Sequence, residues 1–259
     1  MGYFATKVKP TMTASLVHAA AFSAADVMFS WTAFEVPKGS CKLMGVTALI
    51  RGTDGAAQTA RTLDLYFADE SVIDPDSGTP YSIGAINATA NGTGYQNNII
   101  GATSMIAGSY KADLDIMSVA TTGHGGGNDH GNLDLVFTGN YDNDSLHASH
   151  SLPTTGYDKF YVAGTAGGAF DFRSGMQVNE ANFAAGAQTE ITVDGVSALT
   201  AFAPGDVIHA HDNAVLGTIK TITDATTIVL QAANTAAIEN NDYLYNISPV
   251  SLILSFETK

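Results

Sequence analysis

Strict alternation of apolar and polar residues in short segments is the feature that most constrains this chain. In residues 62–67, every second residue is leucine or phenylalanine, and the residues between them are Thr, Asp and Tyr. Near the end of the chain, Val250, Leu252, Leu254 and Phe256 follow the same rule. A period of two is typical of a β-strand with one buried and one solvated face. Both segments therefore predict strands that line a core.

A polar, glycine-rich stretch separates the first of these strands from the strand before it. Residues 39–68 contain two apolar runs on either side of GTDGAAQ, which predicts two strands joined by a turn within the core sheet. Helical periodicity is nearly absent. The Ala-rich segment Met12–Ala25 is compatible with a short helix or with an extended arm. Strands without alternating helices indicate antiparallel pairing, as in a sandwich or a barrel.

Beyond Gln188 the strand pattern becomes shorter and more regular. Five short strands with tight turns fit between this residue and Asn246. Such spacing is typical of a small barrel of SH3-like or OB-like size. After Ser248-Pro249, one long alternating strand follows, and we expect it to return to the sheet of the first domain. The alternative is that this strand completes the barrel.

The predicted fold is all-β: a jelly-roll-like antiparallel β-sandwich with an inserted SH3-like or OB-like β-barrel. The sandwich takes residues 1–187, including an N-terminal arm at 1–25, and is completed by the C-terminal strand 248–259. The inserted barrel takes residues 188–247.

Two further features bear on the sandwich. Asp69–Gly101 is rich in Gly, Pro, Asn and Asp, which predicts a long loop, and loops of this length are commonly functional or mobile. The phrase LDLYF at Leu63–Phe67 is echoed by LDLVF at Leu133–Phe137. This echo suggests two equivalent strands of a sandwich, although short alternating motifs also recur by chance.

Charge excludes some partners. The chain has a formal net charge of −14, with only 11 scattered Lys and Arg residues. Phosphate polymers and anionic membranes are therefore disfavoured as partners. Charged residues make up only 14%, so much of the surface must be Ala, Gly, Thr, Asn and Ser. Such a surface costs little to desolvate and suits broad protein–protein contact, although a weakly charged soluble domain is an equally ordinary interpretation.

The single cysteine and the absence of long apolar runs indicate the cellular compartment in which the chain is made. Cys41 has no intrachain partner, so no disulfide is expected, and we interpret it as a buried small apolar residue. No segment approaches 18 consecutive apolar residues, which predicts no transmembrane helix. The N-terminus lacks a signal-peptide core. These features fit synthesis in a cytoplasm.

Seven histidines raise the hypothesis of a metal site. Four of them fall in polar loops at irregular spacing, without an HExxH motif or a cysteine pair, so solvated histidines are expected. His209 and His211 share a face where a strand meets a turn, which favours a structural role. The four loop histidines are His124, His130, His147 and His150.

Acidic pairs raise the hypotheses of calcium binding and acid–base catalysis. DPDSG and DNDSL match only the first fragment of an EF-hand loop, and Asp113 and Asp115 share one strand face. No GxSxG elbow is present. We therefore assign no catalytic, cofactor-binding or metal-binding residue, expect no cofactor, and predict that the chain is not an enzyme. The calcium candidates are Asp74, Asp76, Asp142 and Asp144.

Several strand phrases together resemble virion structural proteins of tailed bacteriophages, particularly phages of marine hosts. They are PKGSCKLMGVTALIRG, ARTLDLYFADE, KFYVAGTAGGAFDF and FAPGDVIHAHDNAVLGTIKTITDATTIVL. The resemblance extends over most of the chain as a pattern of strand sequences and contains no diagnostic motif. It implies no catalysis, and it implies a role in decorating or cementing the head, or in building the neck or tail.

The leading hypothesis is a capsid decoration (cement) protein on the virion surface, made in the host cytoplasm. The expected partners are the major capsid protein and the chain itself, as a homotrimer, with no nucleic acid and no membrane. The arm at 1–25 is the candidate for reaching a neighbour, and the barrel would project outward towards a host-surface glycan. The alternatives are a tail, neck or fibre-base protein, and a carbohydrate-binding module or glycan-active enzyme.

Overall fold

Antiparallel strands make up nearly all the regular structure, so the predicted all-β class is confirmed. The computed structural model describes residues 2–12, 20–52, 56–69, 74, 76, 78–91, 99–111, 114, 117–122, 135–138, 156–210 and 212–258. Within these ranges every pairing between strands is antiparallel, and the strands form two sheets of a sandwich and one barrel-like sheet.

One layer of the sandwich, which we call the front sheet, contains the first and last strands of the chain. Its strands are β1 (Gly2–Val8), β3 (Ser40–Arg51), β6 (Tyr110–Lys111), β7 (Met117–Thr121), β8 (Leu135–Thr138) and β16 (Val250–Thr258). They lie in the order β1-β16-β3-β7-β6, and β8 pairs with the first residues of β3.

The second layer, the back sheet, contains the remaining sandwich strands. They are β2 (Val27–Pro37), β4 (Leu63–Ala68), β5 (Ile99–Met105) and β9 (Tyr157–Ala166), in the order β2-β9-β4-β5. The predicted membership of β3 and β4 in one core sheet is therefore wrong, because they lie in opposite layers. A period-two pattern identifies the buried face of a strand but not its partner.

The core between the two layers is centred on phenylalanine rings. Phe137 of β8 lies 5.6 Å from Phe67 of β4 and 5.0 Å from Phe160 of β9, measured between ring centroids, and both contacts are edge-to-face. Phe256 of β16 lies 5.3 Å from the same ring. The two phenylalanines of the LDLYF and LDLVF echo thus meet across the sandwich, one from each layer.

The N-terminal segment belongs to the sandwich, so the predicted arm at 1–25 is wrong for its described residues. All seven residues of β1 pair in register with β16. Met12 is buried, and its N–H donates to the Ile247 carbonyl at 2.6 Å. Phe22 is buried against Phe172, with ring centroids 6.0 Å apart. Strand β1 is hard to recognise in the sequence because most of its side chains are exposed and show no apolar alternation. Residues 13–19 lie outside the described ranges.

Six short strands form the barrel-like sheet around a core of its own. They are β10 (Gln177–Val178), β11 (Glu190–Asp194), β12 (Val207–Ala210), β13 (Val215–Asp224), β14 (Thr227–Leu230) and β15 (Leu244–Asn246), in the order β10-β11-β14-β13-β12-β15. A bridge between Gln177 and Tyr243 nearly closes the sheet. A four-residue helix, α1 (Ala198–Ala201), packs against its core. The sheet begins before the predicted boundary at 188, because the two-residue β10 is too short to show alternation.

Polar contacts fix the barrel to one end of the front sheet. The guanidinium Nη2 of Arg51, at the end of β3, lies 3.2 Å from Oδ2 of Asp206, whose side chain is 5% exposed. The same carboxylate accepts the N–H of Ala203 at 2.9 Å. From the barrel the chain re-enters the sandwich as β16, which pairs with β3 and β1. The jelly-roll likeness and the domain boundaries stay predictions.

Candidate functional site

The outer face of the back sheet is covered by residues 78–91 of the same chain, which we call the cover segment. Ile83 of this segment is buried against Trp31 of β2 and Tyr161 of β9. The indole Nε1–H of Trp31 donates to the Tyr81 carbonyl at 2.8 Å. Val27 exchanges backbone hydrogen bonds with Asn87 and Ala88, at 2.8 and 2.9 Å.

These contacts give the described part of the predicted 69–101 loop a structural role. A sheet face with large apolar side chains needs a partner layer, because exposed apolar area is unfavourable in water. The cover segment supplies that layer without regular secondary structure. Its backbone is held by pairing with β2, which compensates for the cost of ordering a long connection.

The outer face of the front sheet, which we call the front face, has no comparable layer among the described residues. Its side chains are exposed or half-buried and alternate with buried core residues along each strand. Six of these thirteen residues are small or hydroxyl-bearing, four are apolar and three are charged. They are Tyr3, Ala5 and Lys7 on β1, Ile253, Ser255 and Glu257 on β16, Lys42, Gly45, Thr47 and Leu49 on β3, and Met117, Val119 and Thr121 on β7.

The front sheet is poor in acidic residues for a chain of this composition. Its six strands contain one of the 25 Asp and Glu residues, Glu257, and four of the 11 Lys and Arg residues. Lys42 lies opposite Glu257 in register, and Arg51 pairs with Asp206 of the barrel. The front face is therefore close to neutral, although the chain as a whole carries −14.

A groove of about 460 Å³ opens on this face where β1, β16, β3 and β7 meet. It forms at a β-bulge, because Met44 is an extra residue in β3 between the pairs Leu43–Phe256 and Gly45–Ser255. Four hydroxyl side chains and two small residues line much of it, and no lining residue is charged. These six residues are Ala5, Gly45, Thr47, Thr121, Thr122 and Ser255.

The floor of the groove is fixed by close backbone packing. The N–H of Thr122 donates to the Val46 carbonyl at 2.8 Å, and the Val46 N–H donates to Oγ1 of Thr122 at 3.2 Å. A β-carbon at Gly45 would lie 2.9 Å from the Thr122 carbonyl oxygen, so glycine allows this approach. The groove is thus a built feature of the sheet.

Tyr3 stands at the rim of the groove and is 82% exposed, more than any other large hydrophobic side chain described. An aromatic ring of this exposure buries little area within the fold. Tyrosine is enriched at protein interfaces because it combines a large apolar ring with a polar tip. The ring and the adjacent groove together make the front face the candidate functional surface.

The candidates for chemistry that the sequence predicts fall mostly outside the described residues. The four loop histidines, His211, Asp113, Asp115, Asp142 and Asp144 lie outside the described residues. Asp74 accepts the N–H of Asp76 at 3.0 Å, which is a local turn. In the described ranges, no group of three or more His, Cys, Asp or Glu side chains converges to hold a metal ion.

Two of the residues singled out in the sequence, His209 and Cys41, have shifted pKa values with structural causes. Burial lowers the pKa of His209, whose Nδ1 lies 3.3 Å from the Asn213 carbonyl oxygen. Burial raises the pKa of the Cys41 thiol, and the negative charge of Asp158 raises it further. Cys41 is 1% exposed, which agrees with its interpretation as a small buried residue.

Sequence reasoning missed the front face as a surface. Its strands show the same alternation as any half-buried strand, so periodicity alone does not reveal that no described layer covers them. The available signal was the residue type at the outward positions, where Thr, Ser, Ala and Gly replace the charged residues usual on a solvated sheet.

Comparisons of the chain with protein-family models, with curated proteins and with solved structures gave no match. Among the described residues, no helix has the length and apolar character needed to cross a bilayer.

Proposed function

We propose that this chain is a structural protein of a tailed-phage virion, and that it decorates and cements the outer surface of the capsid. One observation supports this most directly. The front face is broad, close to neutral in net charge and uncovered by the described residues of an otherwise acidic chain. Such a face is suited to contact with other subunits. The resemblance of the strand sequences to virion proteins suggests that those subunits belong to a phage capsid.

The proposed mechanism is the addition of buried area between subunits. A stable protein–protein interface buries about 1,600 Å² in total, and hydroxyl side chains that find hydrogen-bond partners cost less to desolvate than charged ones. Repeated over a shell, such contacts would oppose the outward force of packaged DNA. The major capsid protein is the proposed partner, and no catalytic step is involved.

Binding to purified heads tests the proposal. The protein is added to phage heads that lack it, and bound copies are separated by sedimentation and counted. We expect saturable binding and a higher temperature for DNA release. Binding that does not saturate, or a complete lack of binding, would contradict a cementing role.

Imaging of tagged protein on whole virions separates decoration from the neck, tail and fibre-base alternatives. Label over the entire head is expected. Label at one vertex or on the tail would move the protein to those structures. Turnover of a capsular polysaccharide by the purified protein would favour the glycan-active alternative.

A further inference from the structure

We infer that the front face binds a second copy of this chain, with Tyr3 of each copy inserted into the groove of the other. The inference names a partner for the surface on which the proposed function rests. It concerns the purified chain alone. Failure to bind phage heads would therefore leave it standing, and its own failure would leave head binding open.

The first argument is the complementarity of one face with itself. A strongly exposed aromatic ring and a groove of about 460 Å³ lie side by side on the same sheet. A two-fold axis that lies in the plane between two facing copies brings each ring to the other copy's groove, because two-fold interfaces use the same patch twice. The hydroxyl groups of Thr47, Thr121 and Ser255 are placed to meet the phenol.

The second argument is charge. Two copies that each carry −14 repel one another over most of their surfaces. Repulsion is smallest where acids are fewest, and the front strands hold one of the 25. A nucleic acid would be repelled by the net charge of −14.

The third argument is area. With a rise of about 3.4 Å per residue and about 4.8 Å between strands, the front face measures roughly 30 by 20 Å. Packing two such faces would bury about 1,200 Å² in total, which is at the lower limit for a specific interface. Insertion of two tyrosine rings adds to this area. We therefore expect a reversible dimer instead of the homotrimer predicted from the sequence.

Tyr3→Ala tests the ring. Sedimentation of the full chain from low to high micromolar concentration should show a dimer for the wild type. The dissociation constant should rise about thirtyfold in the variant, as for an aromatic hot spot. Tyr243→Ala, which removes a 37% exposed tyrosine from the barrel, is the matched control and should leave association unchanged.

Thr121→Trp tests the groove, because a large side chain at this exposed position occupies the space that the second copy's Tyr3 requires. This variant should also be monomeric. A mixture of the two variants should form a heterodimer of intermediate affinity, since the Tyr3→Ala copy keeps an open groove and the Thr121→Trp copy keeps its ring. The unfolding curve of each variant checks that it is folded.

Three results would overturn the inference: a wild-type monomer at every concentration, an oligomer indifferent to Tyr3→Ala, or a mixture no more associated than its components. Uptake of an uncharged oligosaccharide by a monomeric wild type, lost in Thr121→Trp, would assign the groove to a glycan instead.

Discussion

The two outer faces of the sandwich differ in whether described residues of the same chain cover them. The back face carries Trp31 and Tyr161 and is sealed by Ile83 of the chain's own cover segment. The front face carries a mixture of small, hydroxyl-bearing, apolar and a few charged side chains and has no such layer among the described residues. The back strands are apolar on both sides and must be covered for the fold to be stable. The outer side of the front strands is mixed, because Leu49, Val119 and Ile253 lie among polar residues there, so a partner at the front is optional for folding.

Removal of the indole on the back face should have the largest effect. Trp31→Ala deletes a side chain that is 8% exposed and leaves the Tyr81 carbonyl without its donor. We expect a loss of about 3–5 kcal/mol in the free energy of unfolding. Urea denaturation followed by far-UV circular dichroism measures it, because Trp31 is the only tryptophan and the variant loses the fluorescent probe. A loss under about 1 kcal/mol would mean that the cover segment contributes little to stability.

A matched pair of isoleucines sharpens the comparison. Ile83→Ala removes a fully buried side chain from the cover segment and should cost about 2–4 kcal/mol. Ile253→Ala makes the same chemical change at a half-buried position on the front face and should cost about 1 kcal/mol or less. Both are measured by chemical denaturation at a concentration where the protein is monomeric. Equal costs would show that the front face is also covered in solution.

The sequence predicted the parts of this comparison unevenly. The five barrel strands β11–β15 and the long strand β16 are clear from alternation, because each presents one apolar face to a core. Strand β1 was missed, since as an edge strand it buries only Val8 fully. The assignment of β3 and β4 to one sheet failed because alternation does not encode which strand is the neighbour.

The candidate surface was harder to predict than the fold. The groove depends on one bulged residue, Met44, and on the close approach of Gly45 to Thr122, which no periodic pattern reveals. The difference between the faces depends on where residues 78–91 lie. That placement follows from tertiary packing onto Trp31 and has no local signal beyond scattered apolar residues such as Ile83 and Ile86.

A charge on the front face should separate folding from association. Thr121→Asp places a carboxylate at an exposed position on the groove wall, so the free energy of unfolding of the monomer should change by no more than about 0.5 kcal/mol. Self-association should weaken, because each carboxylate would lose water where the other copy's Tyr3 ring inserts into the groove. Denaturation and sedimentation of the same sample measure the two properties. Unchanged association would place the contact elsewhere, and marked destabilisation would mean that Thr121 is structural.

The smallest expected effect is a pH dependence of stability that arises in the barrel, and it separates the barrel from the two faces of the sandwich. Burial holds the pKa of His209 below its ordinary value of 6.5 in the folded chain, so the unfolded chain binds a proton more readily. The free energy of unfolding should therefore fall as the pH drops through about 6.5 towards the folded-state pKa. His209→Asn, which keeps a donor for the Asn213 carbonyl, should reduce this dependence in urea titrations. The front-face residues include no histidine, so the dimer dissociation constant should stay constant across the same window. A dissociation constant that follows the titration of His209 would contradict the separation between the barrel and the front face.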